Sequence, residues 1–211
     1  KIPQIVGFNH LPVKEIKTMK TVWHQADSRG HADHGWLKAK HTFSFANYYN
    51  PERVHFGMLR VLNDDIIAAG EGFGTHPHDN MEIVSIPTRG ALEHKDSTGT
   101  NEVIRSGEVQ IMSAGTGIRH SEYNHSKTEQ VKFFQIWVMP KEKNIQPRYE
   151  QKKFEITDRE NKFQIVVSPN KEEGGVWINQ DAWFSLANIS NGNTVNYQSK
   201  KSDNAAYLFV I

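Results

Sequence analysis

Cysteine is absent from this chain of 211 residues. The absence excludes disulfides, thiolate metal sites and cysteine nucleophiles, so any bound metal must be held by histidine and carboxylate side chains. The chain also lacks an excess of either charge, because 25 Lys and Arg oppose 24 Asp and Glu and leave a formal net charge of +1. Dedicated binders of nucleic acids or anionic membranes carry a basic surface, which this composition does not supply.

Long apolar runs are missing as well. No run approaches the roughly 18 residues that span a bilayer, and no apolar stretch near Lys1 has the pattern of a signal peptide. We therefore expect a cytoplasmic protein that acts on a small molecule and has neither a membrane nor a nucleic-acid partner.

Short β-branched and aromatic runs, separated by Gly, Pro, Asn and Asp, recur along the chain, whereas long stripes of helical period are scarce. This pattern is typical of an all-β sandwich or barrel with hairpin connections. In the first part of the chain we predict strands near residues 54–62, 65–69, 81–87, 91–95, 102–105, 108–112, 119–123 and 131–138.

A polar, Pro-containing stretch at 141–154 predicts a linker between two domains, which we place at 1–140 and 141–211. The second domain shows β-type runs at 163–167, 176–178, 183–189, 195–197 and 205–211, which indicate a second, incomplete barrel. The last run has no partner after it and the chain starts without Met, so we expect further residues beyond both ends. All eleven histidines lie at or before His125, which places any metal chemistry in the first domain.

Two pairs of possible metal ligands stand beside Gly-rich turns. His76 and His78 form one pair, and His120 and Glu122 form the other. Residues i and i+2 of a strand face the same side, and an antiparallel barrel can bring the second pair beside the first. A single His-x-His is more often a surface pair, but two such pairs favour a site of three histidines and one glutamate. Glu82, four residues after His78, falls on the same strand face as the first pair, and we interpret it as lying at the rim of the site or behind the ligands.

The remaining candidates carry weaker signals. We interpret His31, His34 and His41 as rim or hydrogen-bonding residues, and expect His94 and His125 to be exposed. The aromatic residues between 43 and 49 are expected to pack against the barrel. As candidates for a substrate pocket we name Phe73, Met81 and Gln135.

The pattern Gly-x5-His-x-His-x3-Glu from Gly70 to Glu82 resembles the first cupin motif, and Gly117, His120 and Asn124 resemble the end of the second. The longer segments at 29–49, 62–83, 93–99 and 111–124 resemble the pirin family, and within it the bacterial proteins described as quercetin 2,3-dioxygenases.

This resemblance implies a bicupin, two tandem antiparallel β-barrels of the jelly-roll type, with metal in the N-terminal barrel. It implies His76, His78, His120 and Glu122 as ligands of one divalent metal. Iron(II) is preferred, with Mn, Co, Ni, Cu and Zn as alternatives. One departure is Pro87, which cannot donate to a β-ladder, so its strand should lie at an edge or contain a bulge.

The resemblance further implies a dioxygenase that opens the heterocycle of flavonols such as quercetin with O2, with Glu122 acting as ligand and general base in turn. The alternative is a non-catalytic iron-binding redox sensor or regulator that acts through a protein partner. A third reading is a metal-bearing barrel with an unidentified small ligand. We expect a monomer.

Overall fold

The computed structural model describes residues 21–211, and within them regular structure consists of strands and three short 3-10 turns. Residues 1–20, the start of the first predicted domain, lie outside the described residues. No helix in the described part of the chain is long and apolar enough to cross a membrane. The strands are β1 (Gly30–Asp33), β2 (Leu37–His41), β3 (Leu59–Ile67), β4 (Gly72–His78), β5 (Glu82–Arg89), β6 (Ala91–Asp96), β7 (Asn101–Arg105), β8 (Glu108–Ser113), β9 (Ile118–Asn124), β10 (Val131–Val138), β11 (Arg148–Lys153), β12 (Gln164–Ser168), β13 (Val176–Trp177) and β14 (Phe184–Leu186).

Three sheets make up the fold. A seven-stranded sheet has the order β1-β2-β3-β10-β5-β8-β11, a four-stranded sheet the order β4-β9-β6-β7, and a three-stranded sheet the order β13-β12-β14. All pairings in the two larger sheets are antiparallel. The all-β prediction is confirmed.

The seven-stranded sheet lies between two apolar cores, as the alternation along β10 shows. Phe133 packs with Leu92 and Ile104 of the four-stranded sheet. Its neighbour Phe134 belongs to the opposite core, which includes Val166 of the C-terminal part. Because both faces of this sheet are covered, its central strands are apolar over most of their length.

The linker predicted for 141–154 is wrong in its second half, where residues 148–153 form β11. This strand pairs with β8 from Arg148↔Ser113 to Lys153↔Glu108. Its composition is polar because it is an edge strand and is partly exposed. Residues assigned by sequence to the linker therefore complete the sheet of the first barrel.

The predicted strands at 195–197 and 205–211 are not strands in the structure. The alternation within the second run is nevertheless visible, because Tyr207 and Phe209 pack against the apolar core. Leu208 and Val210 between and after them are exposed. An extended, alternating segment forms a ladder only beside a second backbone, and none pairs with it here.

Pro87 lies in a central strand, β5, which pairs with β10 on one side and β8 on the other. The pairing with β8 ends at Ser85↔Gln110, so no ladder partner on that side needs a donor from Pro87. The register with β10 shifts between Phe133↔Pro87 and Lys132↔Arg89. Of the two sequence-based alternatives, the bulge is the one that the structure contains.

Candidate metal centre

The backbone of the site is set by β9, which lies between β4 and β6. His76 of β4 is the Cα partner of His120. The two pairs predicted from i,i+2 spacing therefore stand on neighbouring antiparallel strands, as the sequence argument required. The β4–β9 register shifts by one residue between Phe73 and His76. This bulge turns Phe73 to the same face as the histidines, whereas strict alternation would have pointed it away.

Three imidazoles converge on one point. The ring centroids of His76 and His120 are 4.4 Å apart, those of His76 and His78 are 4.8 Å apart, and those of His78 and His120 are 4.9 Å apart. One ring nitrogen from each lies within 4.8 Å of the other two. His120 is buried, and His76 and His78 are partly exposed, so this point lies between the core and the solvent.

Two of the three rings, His76 and His120, present an Nε2 that is free to bind a cation. Nδ1 of His76 lies 2.8 Å from the carbonyl oxygen of Gly74, a bond in which the ring must donate, so Nε2 keeps its lone pair. Nε2 of His120 is buried without any hydrogen-bond partner. Burial, followed by the neighbouring histidines, lowers the pKa of His78 to about 4 and that of His120 to about 3. Neutral imidazoles with free lone pairs suit a divalent metal.

Glu122 lies beside this cluster and is held by two neighbours. Its Oε2 accepts a hydrogen bond from Nε2 of Gln135 at 2.7 Å. The Oγ of Ser85 is 3.1 Å from its Oε1 and 3.2 Å from Oε1 of Gln135. The donor atoms of Glu122 group with those of His94 and His120 rather than with the complete set of three imidazoles. The carboxylate is buried, at 1% exposure.

His94 was expected at the surface but is fully buried, at 0% exposure. It is the Cα partner of Glu122 across β6 and β9, and its Nδ1 lies 3.4 Å from Nδ1 of His120. Its Nε2 lies 2.9 Å from Oδ2 of Asp96. The signal was present in the sequence, because His94 and Asp96 repeat the i,i+2 spacing of the two ligand pairs.

A second buried carboxyl was also missed. Asp65 of β3 is 3% exposed and its Oδ1 has no hydrogen-bond partner. Burial, followed by the charges of Glu122 and Asp64, raises the pKa of Asp65 to about 8. The side chain is therefore protonated at neutral pH. Two residues earlier, Oδ1 of Asn63 accepts a hydrogen bond of 3.0 Å from Nδ1 of the buried His41.

The other candidates lie at varied distances from the cluster. His31, His34 and His125 are exposed. Glu82 is buried and accepts hydrogen bonds from the Ser113 hydroxyl and the backbone N–H of Asn179, on the face of the seven-stranded sheet opposite to the histidine cluster. Burial raises the pKa of Glu82. Of the pocket candidates, Gln135 contacts Glu122, Phe73 packs edge-on against Trp36 and faces His76, and Met81 packs on an apolar core.

A cavity of about 340 Å³ opens beside the cluster. It shares His78 with the cluster, and none of the three pocket candidates lines it; the lining is Pro77, His78, Asp79, Ser97, Thr116, Gly117, Ile118 and Arg119. On its other side His78 meets the indole of Trp137, with ring centroids 4.9 Å apart, and Trp137 in turn meets Phe45 at 5.4 Å. Trp137 and Phe45 thus form an aromatic wall next to His78.

Residues 21–138, which carry this cluster, match the family model for pirin. The chain belongs to the pirin family. Residues 165–211 match the model described as the quercetinase C-terminal cupin domain, so the two-barrel organisation of the bicupin is supported in both halves.

Individual relatives agree with this assignment. The chain is 55% identical over 157 residues to the quercetin 2,3-dioxygenase of Escherichia coli, covering 74% of this chain and 67% of that protein. It is 44% identical over 183 residues to a pirin-like protein of Caulobacter vibrioides, covering 86% of this chain and 78% of the relative.

Solved structures agree as well. The crystal structure of YhhW from Escherichia coli aligns with a TM-score of 0.71 at 55% identity, covering 74% of this chain and 66% of that chain. A second structure, of the bacterial pirin YhhW in complex with nickel(II), aligns with a TM-score of 0.70 at 54% identity. The match spans about two thirds of the length of YhhW, so it establishes family and fold, and the activity is a separate question.

Proposed function

We propose that this pirin is a metal-dependent dioxygenase that opens the heterocycle of flavonols such as quercetin with O2. The observation that carries the proposal is the convergence of three imidazoles at the edge of a buried polar interior, with the Nε2 lone pairs of His76 and His120 left free. The quercetin 2,3-dioxygenase name of a relative at 55% identity supports the choice of reaction.

The residues that would hold the metal are His76, His78 and His120, with Glu122 as the fourth ligand. Three neutral imidazoles and one carboxylate around a divalent cation leave a net charge of +1, which favours an anionic ligand such as an enolate. Imidazole and carboxylate ligands suit Fe, Mn, Co, Ni, Cu and Zn. Iron(II) is our proposal for the native metal, and the nickel(II) complex of YhhW supports a divalent ion.

A metal at this position would supply Lewis-acid stabilisation of the enolate and electronic contact with O2. The protein residues supply the proton acceptor, because a flavonol arrives with its 3-hydroxyl protonated. We propose that Glu122 accepts this proton. Its two hydrogen bonds, from Gln135 and from the Ser85 hydroxyl, hold the carboxylate in place, and its burial keeps water from competing for the transfer.

We propose that the rings of Trp137 and Phe45, which meet edge to face at 89°, flank the flavonol beside His78. We propose this pair ahead of Phe73 and Met81 for substrate contact, because the Trp137 ring centroid lies 4.9 Å from that of His78, whereas that of Phe73 lies 6.4 Å from that of His76.

The test combines metal analysis with oxygen uptake. Protein loaded separately with iron, manganese, cobalt, nickel or copper should take up O2 in the presence of quercetin and release carbon monoxide in equal amount. A variant with Ala at His76 or His120 should lose stoichiometric metal and activity together. If no metal form takes up O2 and the protein instead retains a specific protein partner, the regulatory alternative replaces the dioxygenase.

A further inference from the structure

We propose that Asp96 and His94 fix the tautomer of His120, so that its Nε2 lone pair faces the metal. This inference rests on the proposed metal centre and names two residues behind it that bind no metal themselves. They act as positioning residues through a line of hydrogen bonds from Asp96 to His94 to His120.

The line begins at a carboxylate whose orientation is fixed. Oδ1 of Asp96 accepts hydrogen bonds from the backbone N–H of Thr98 at 2.8 Å, from its hydroxyl at 2.6 Å and from the N–H of Thr100 at 3.2 Å. Oδ2 is thereby left to face Nε2 of His94 at 2.9 Å. Because an ionised carboxylate can only accept, Nε2 of His94 carries the proton of this bond.

The next step follows from the chemistry of a neutral imidazole. With its proton on Nε2, His94 offers Nδ1 as an acceptor. The atom that faces it is Nδ1 of His120, at 3.4 Å, a long contact in which His120 must be the donor. His120 therefore carries its proton on Nδ1, and its Nε2 is left unprotonated.

The surroundings leave this arrangement little freedom. The side chains of His94 and Asp96 are both 0% exposed, so water does not replace either bond. The ring of Tyr149 packs against His94 with centroids 4.8 Å apart. The unprotonated Nε2 of His120 is buried without a protein hydrogen-bond partner, which leaves its lone pair available to a metal.

Replacing one carboxylate oxygen of Asp96 by an NH2 group should reverse the donor and acceptor roles in both hydrogen bonds. In Asp96→Asn the amide oxygen can keep the three bonds from Thr98 and Thr100, which places the NH2 group opposite His94. That group donates, so Nε2 of His94 must become the acceptor and Nδ1 the donor. His120 then accepts on Nδ1 and carries its proton on Nε2, where the metal should bind.

The direct readout is the histidine tautomer in metal-free protein. Long-range 1H–15N correlation spectra distinguish Nδ1–H from Nε2–H imidazoles, and a His120→Gln variant assigns the signal. We expect the Nδ1–H form for His120 in the wild type and the Nε2–H form in Asp96→Asn. An Nε2–H form of His120 in the wild type, or the same form in both proteins, overturns the proposal.

The functional readout is the affinity for Ni2+, measured by calorimetry. Asp96→Asn should weaken binding by roughly 10–100-fold, the range found for residues that orient metal-ligating histidines. Glu93→Gln is the matched control, because it removes the same charge from a partly exposed side chain of the same strand. It should leave the nickel affinity unchanged. An equal loss of affinity in both variants would mean that the lost negative charge alone weakens binding, and would overturn the proposal.

A second pair of variants guards against loss of folding. In His94→Gln the side-chain oxygen can still accept from Nδ1 of His120, so nickel affinity should remain close to that of the wild type. In His94→Leu no acceptor is left, and the affinity should fall. Equal affinities of the Gln and Leu variants would contradict the relay. If the wild type bound no nickel at all, the metal centre itself would fail, whereas the tautomer spectrum would still decide on the hydrogen-bond line.

Discussion

At the scale of single residues, Glu122 is the side chain to which we assign two roles. It is proposed both as a ligand and as the acceptor of the substrate proton, and it accepts hydrogen bonds from Ser85 and Gln135. Those bonds keep a buried carboxylate in one orientation next to His120. A carboxylate that turned toward a metal or a substrate would give up part of these bonds.

Glu122→Gln should separate the two roles. The substitution keeps size and one oxygen that can bind a metal, but it removes the group that accepts a proton. We expect turnover of quercetin to fall by about 10²–10⁴-fold, the usual effect of losing a general base. Metal content and turnover are measured on the same samples. Ser85→Ala, which removes one bond to Glu122 but leaves the base, should cost less. Near-native turnover of the Gln variant at full occupancy would mean that the proton goes elsewhere.

Asp65 should make the stability of metal-free protein depend on pH. Its pKa is raised from 3.8 to about 8, so between these values the folded state holds a proton that the unfolded state has lost. Its contribution to stability is therefore present at low pH and is lost as the pH rises toward 8.

The comparison protein is Asp65→Asn, which has the same histidines and lacks this titration. From pH 6.5 to 8 the unfolding free energy of the wild type should fall by about 1–2 kcal/mol relative to the variant. Urea unfolding at several pH values measures it. Asp33→Asn, at an exposed position, should show the same change of unfolding free energy with pH as the wild type. A constant difference between wild type and Asp65→Asn would show that Asp65 is ionised throughout.

How far sequence could predict the site depends on which residues shape it. The spacing of His76, His78, His120 and Glu122 carried its own geometry, because i and i+2 share a face in any strand. His94 was missed since its segment is polar and resembles an exposed hairpin. Its burial depends on the register with β9 and on Tyr149, which covers it from β11. Contacts between distant elements are not visible in a local pattern.

At the scale of elements, the close approach of β4 to β9 holds the histidine pairs together. Gly72 makes this possible. A Cβ at this position would lie 2.3 Å from the backbone oxygen of Glu122 and 2.5 Å from Cα of Tyr123. Both are backbone atoms, which cannot rotate aside as a side chain could.

Gly72→Ala should therefore push β4 away from β9 and separate His76 from His120. We expect a loss of about 1–3 kcal/mol in unfolding free energy together with weaker nickel binding. Gly74→Ala is the control on the same strand, because its nearest contact would be the Tyr123 hydroxyl at 3.8 Å. Denaturant unfolding and calorimetry test both variants. Equal behaviour of the two would show that the spacing of β4 and β9 does not control the site.

The elements themselves were predicted unevenly, and for a physical reason. Apolar runs such as β5, β8 and β10 were found because both of their faces are buried. β1, β2 and β11 were missed because their sequences are largely polar, and β4 was expected only through the i,i+2 argument that placed His76 and His78 on a strand. β2, β4 and β11 pair with the predicted strands β3, β9 and β8, which supply order that the local sequence does not, and β1 pairs with β2.

At the scale of the whole molecule, the seven-stranded sheet separates the side of the candidate metal cluster from the side that packs against the C-terminal part. Val84 and Ile136 of this sheet pack with Val166 and Ile178 of the C-terminal part. Glu82 of β5 joins the same two parts, since it accepts a hydrogen bond of 3.1 Å from the backbone N–H of Asn179. The boundary that we predict at residue 140 thus crosses a continuous core, and the domain division stays a prediction.

Hydrogen exchange should nevertheless differ along the chain. The central strands β3, β5 and β10 have ladder partners on both sides, so their amides exchange only through larger openings. After Ile189 the described chain has no strand. Backbone hydrogen bonds there, such as Asn193 N–H to the Ser190 carbonyl at 3.1 Å and Asn204 N–H to the Lys201 carbonyl at 3.2 Å, close single turns.

We expect the fastest exchange at 189–211, intermediate rates in β12 and the slowest rates in β10, as measured by mass spectrometry on the whole chain and corrected for intrinsic rates. Nickel should slow exchange in β4 and β9 without changing that of 189–211, because the metal side and the C-terminal part contact opposite faces of one sheet. Slower exchange after residue 150 than before it would contradict this order and would mean that the apolar core, rather than the ladder, determines protection in the second half.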